Sequence, residues 1–183
     1  MSEHRMAAIF YVRLADEATP PPIEDLARRA GLERIHHERG TVPAIYGQWG
    51  VMESVRAVRQ VLGAHVCLQL FPHLSDLLDR QGNDAADSMP IAEAFRGACE
   101  ALRPDAALLY TRPDEVEPEY VDAQYPKVLG LDGILLDESN PALLYLDTEL
   151  AQHFPAAYRT GRDSLPVTHG LLLFRGTGAR RWW

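Results

Sequence analysis

Apolar residues in this chain come in short bursts separated by turn-forming residues, and that spacing restricts the fold more than any other feature. The runs Ala8 to Leu14, Ala64 to Phe71, Ala106 to Tyr110, Ala142 to Leu146 and Val167 to Phe174 have the length of sheet strands. All fall far below the roughly 20 apolar residues that cross a bilayer as a helix, so no membrane span is expected. In the first run, Ala8, Phe10, Val12 and Leu14 alternate with Ile9, Tyr11 and Arg13, which predicts a strand with one wetter side.

Helical spacing fills the gaps between these runs. Pro20, Pro21 and Pro22 lead into Ile23, Leu26, Ala27 and Ala30 and close at Gly31, the order of proline entry and glycine exit that helices prefer. Ile91, Phe95, Ala98 and Leu102 repeat on one helical face before Pro104. Val51, Val55, Val58 and Leu62 follow the same spacing after a β-rich run from Val42 to Trp49, which predicts a helix ending at Gly63. Further on, a helix is expected from Pro118 to before Pro126, a short strand at Gly133 to Leu136, and a helical turn around Glu149 to Phe154. The polar stretch RQGNDAADSMP, Arg80 to Pro90, has no period and marks a loop or lobe boundary.

Strands that alternate with helices but are short, one-sided and adjacent late in the chain favour an α+β fold. The expected sheet is mixed or largely antiparallel, with helices packed on it and a ferredoxin-like arrangement in each half as its specific form. With 183 residues, 46% of them hydrophobic and 24% charged, the chain fits one globular domain over 1–183. The N-terminal MSEHRMAAIFYVRLADE lacks a long apolar segment and a small-residue cleavage site, so a cytoplasmic location is expected. All but one of the basic residues are arginine, a bias that fits a GC-rich bacterial genome.

Negative charge is concentrated in one region. PDEVEPEYVD, Pro113 to Asp122, holds five carboxylates in ten positions, and Asp114 to Glu149 holds ten against Lys127 alone, in a protein of net charge −8. Pro118 suits the first position of a helix, and Glu117 and Glu119 beside it are favoured by the helix dipole. That local reason does not extend to Asp114, Glu115, Asp137 and Glu138, since crowded like charges repel one another. Asp114, Glu115, Glu117, Glu119, Tyr120, Asp122, Asp137 and Glu138 are therefore the expected partner-binding residues, an acidic surface with an aromatic anchor that suits a basic protein. Net negative charge argues against nucleic acid as the partner. Small, acidic, motif-poor α+β chains are common among bacterial immunity proteins and antitoxins, whose targets include cationic nuclease toxins; toxin neutralisation is the function expected on that analogy of class.

Catalytic readings are weaker at every position. His36, His37 and Glu38 are adjacent, so on a strand neighbouring imidazoles point to opposite faces, and a surface loop is the plainer reading. His65 and Cys67 share a strand face, as two metal ligands would, without an identifiable third ligand. Ser164 and His169 have no nucleophile elbow, and Asp132, Asp137 and Glu138 read as turn chemistry around Asn140 and Pro141. Two cysteines, Cys67 and Cys99, suit small buried hydrophobes and exclude a disulfide framework or a four-thiolate zinc site. No cofactor or metal is expected. The alternative function is a small-molecule or metal-dependent enzyme or ligand-binding domain that uses His65, Cys67 or His36. Trp182 and Trp183 are expected to dock in a groove.

Overall fold

The computed structural model describes residues 6–15, 19–37, 44–73, 89–110, 141–154, 156–159 and 162–174. Nine strands make one sheet: β1 (Ala7–Arg13), β2 (Leu32–His37), β3 (Ile45–Trp49), β4 (Met52–Leu62), β5 (His65–Phe71), β6 (Ala106–Tyr110), β7 (Leu143–Leu146), β8 (Ser164–Leu165) and β9 (Leu171–Phe174). Their order is β2-β3-β4-β5-β1-β6-β7-β9-β8, and each neighbouring pair is antiparallel. Among the described residues, four helices accompany them: α1 (Ile23–Arg29), α2 (Met89–Leu102), α3 (Thr148–His153) and α4 (Ala156–Arg159). The expected α+β class with a largely antiparallel sheet matches this arrangement, which is dominated by its strands.

The central strands are buried on both faces. On the first face, Ala8, Phe10 and Val12 of β1 join Val66, Leu68 and Leu70 of β5 under Leu26 of α1 and Ile91, Phe95 and Leu102 of α2. Phe10 is the hub, 5.3 Å from the Phe95 ring and 6.4 Å edge-on to Trp49. On the second face, Ile9, Tyr11, Cys67, Leu108 and Leu144 pack with Ala151 of α3 and with Phe154. The wetter side expected for β1 is thus a second core: Ile9 and Tyr11 are buried and only Arg13 reaches solvent. Double burial also explains why HVCLQLF and AALLY read as unbroken apolar runs.

One helix expected from spacing is a strand. Residues 52–62 form β4, hydrogen-bonded to β3 on one side and β5 on the other. The pairs Trp49↔Met52 and Leu62↔His65 leave two-residue turns, Gly50–Val51 and Gly63–Ala64, whose glycines sit at φ 60° and 56°. Positive φ at the first turn position is what a tight hairpin demands, so these glycines close hairpins and do not end a helix. Valine at 55 and 58 fits a strand at least as well as a helix, because its branched side chain suits the pleated surface.

Among the described residues the first half runs β-α-β-β-β-β. His36 and His37, read as a loop, belong to β2, while the final strand begins only at Leu171. The helix expected from Pro118 to before Pro126, the strand at 133–136, the 80–90 boundary up to residue 88, and Trp182 and Trp183 lie outside the described residues.

Candidate functional site

The eight residues expected to bind a partner, Asp114, Glu115, Glu117, Glu119, Tyr120, Asp122, Asp137 and Glu138, all lie outside the described residues. Their two anchors do not. β6 ends at Tyr110 and β7 begins at Leu143, and the two strands are direct neighbours, with Leu109 opposite Leu143 and Ala142 N donating to Leu109 O at 2.8 Å. Residues 111–140 therefore depart from and return to adjacent central strands at one end of the sheet. That same end holds the start of β1, where Met6 N donates to Pro72 O at 2.9 Å, and the end of β9, where Phe174 lies opposite Leu143. The arginine-bearing segment 175–183 starts there as well.

Ionisable chemistry among the described residues gathers at the opposite end. Arg13 closes β1, His65 opens β5 and Asp105 stands immediately before β6. Asp105 Oδ2 accepts from Arg13 Nε at 2.9 Å and lies 2.7 Å from His65 Nε2. His65 and Asp105 are buried, whereas the Arg13 side chain is 64% exposed. The hydrogen bond to Asp105, its charge, and the more distant Glu149 and Asp147 hold the Arg13 guanidinium above its ordinary pKa. Asp105 N also donates to Tyr11 O, and Asp147 N to Asp105 O, each at 2.9 Å. Chemically this is a clamp on four successive strand ends, since both Asp105 partners are already committed to it.

The residues of the alternative catalytic reading do not converge. His65 and Cys67 share the second face of β5, but Cys67 is packed in the apolar cluster with Tyr11 and Leu108. His36 lies three strands away, stacked on Tyr46 with ring centroids 5.7 Å apart. His37 points the other way, its Nε2 3.3 Å from Glu24 Oε1. Among the described residues, no group of three or more His, Cys, Asp and Glu side chains is placed to hold a metal. Two open grooves, of about 390 and 370 Å³, contain none of these histidines or Cys67: the first runs past Gly31, Gln48, Trp49 and Gly97, the second past Pro20, Pro22 and Arg59.

Two further polar contacts escaped sequence reasoning. Glu100 of α2 accepts from Thr168 N at 2.6 Å, and this hydrogen bond lowers the Glu100 pKa. Tyr145, among the acids in sequence, is a core residue whose hydroxyl donates to His169 O at 2.9 Å, and burial pushes it up to about 12. Burial likewise raises the Cys99 thiol well above its ordinary value, consistent with an inert packing role.

No family model matches the chain, and no curated protein matches it. Among solved structures, the Pseudomonas aeruginosa T6SS protein PA0821 is similar with a TM-score of 0.45 and 12% sequence identity, over 94% of this chain and 66% of that one. No helix among the described residues is long and apolar enough to cross a membrane.

Proposed function

We propose that this chain is a protein-binding domain whose acidic segment engages a basic partner, and that the partner is a toxin the domain neutralises, as an immunity protein or antitoxin does. The observation that carries this reading is where the segment is anchored. Residues 111–140 hold eight carboxylates against Arg112 and Lys127, and they are inserted between two hydrogen-bonded central strands. Adjacent antiparallel strands need only a few connecting residues, and much longer insertions in compact domains are commonly functional. An excess of negative charge tied to a rigid, doubly buried sheet is suited to steering a cationic surface into register.

Asp114, Glu115, Glu117, Glu119, Asp122, Asp137 and Glu138 supply the field in this proposal, and Tyr120 supplies an aromatic anchor. A cationic nuclease suits it best, because carboxylates can imitate the phosphates of its substrate. The test is protection: cells expressing the product of the neighbouring coding sequence should survive when this chain is co-expressed. Survival should be lost on reversing Asp114, Glu117, Glu119 and Asp137 to lysine. Absence of protection, together with recovery of only acidic partners, contradicts the proposal.

A further inference from the structure

We draw no further inference here: the strongest candidate, the cross-strand row of His36, Tyr46, Arg56 and Phe71 on β2, β3, β4 and β5, is a sheet face for which nothing among the described residues shows what covers it.

Discussion

Asp105 Oδ2 sits 2.7 Å from His65 Nε2 and 2.8 Å from Arg13 Nη2, so a single carboxylate oxygen joins the end of β1 to the start of β5 just where β6 begins. The two contacts are unequal. His65 is almost wholly buried, so its polar nitrogen has little access to water, whereas Arg13 is well solvated. Asp105→Ala should therefore cost about 2–4 kcal/mol, mostly through the buried imidazole it strands. Arg13→Ala should cost about 0–1 kcal/mol, as exposed ion pairs do. Urea unfolding of both variants measures the difference, and equal losses would contradict the assignment.

Tyr145 gives the fold an alkaline limit. Its folded-state pKa is raised from 10.0 to about 12, so the native state holds the phenolic proton more tightly than the unfolded chain does. The resulting stability is complete below pH 10 and is lost as the pH climbs towards 12. Tyr145→Phe, which also loses the hydrogen bond to His169, should be less stable at neutral pH and should show a shallower fall between those limits. Unfolding midpoints across that range check it.

Glu100 sets an opposite dependence on the acid side. Its pKa is lowered by the Thr168 hydrogen bond, so its contribution is present above the ordinary 4.5 and disappears as the pH falls through the lowered value. Glu100 is exposed enough that solvent screens the effect, and Glu100→Gln should reduce the acid sensitivity of stability only modestly. The protection factor of the Thr168 amide in the wild-type protein, taken against an unstructured amide at the same pH, should fall over the same range.

Phe95 tests the core. Its ring is fully buried against Phe10, and Phe95→Ala should cost about 3–5 kcal/mol through lost contacts and the cavity left behind. Calorimetric or denaturant unfolding reads this directly.

How much of this architecture could be read in advance depended on whether one physical signal stood alone. Ile91, Phe95, Ala98 and Leu102 announced α2 because no β-branched run competes there and Pro104 stops it. Around Val55 two signals coincided: a helical repeat of valines and a pair of glycines spaced for hairpins, and strand pairing on both sides of β4 decided between them. Ile9 and Tyr11 were misplaced because alternation cannot reveal that a second layer covers the other face. Arg13, His65 and Asp105 each stand at the end of an apolar run, a signal visible in the sequence, yet only strand order makes them neighbours. The acidic stretch was legible as composition, and its placement between adjacent strands followed only from the β6 and β7 pairing.

The most direct measurement of the proposed role is the association rate with the neutralised toxin as a function of salt, for the wild-type chain and for the variant reversed at Asp114, Glu117, Glu119 and Asp137. Wild-type association should be fast in dilute salt and slow steeply as salt screens the field, while the reversed variant should be slow throughout with little salt dependence. Identical rates and identical salt slopes for the two proteins would contradict the account.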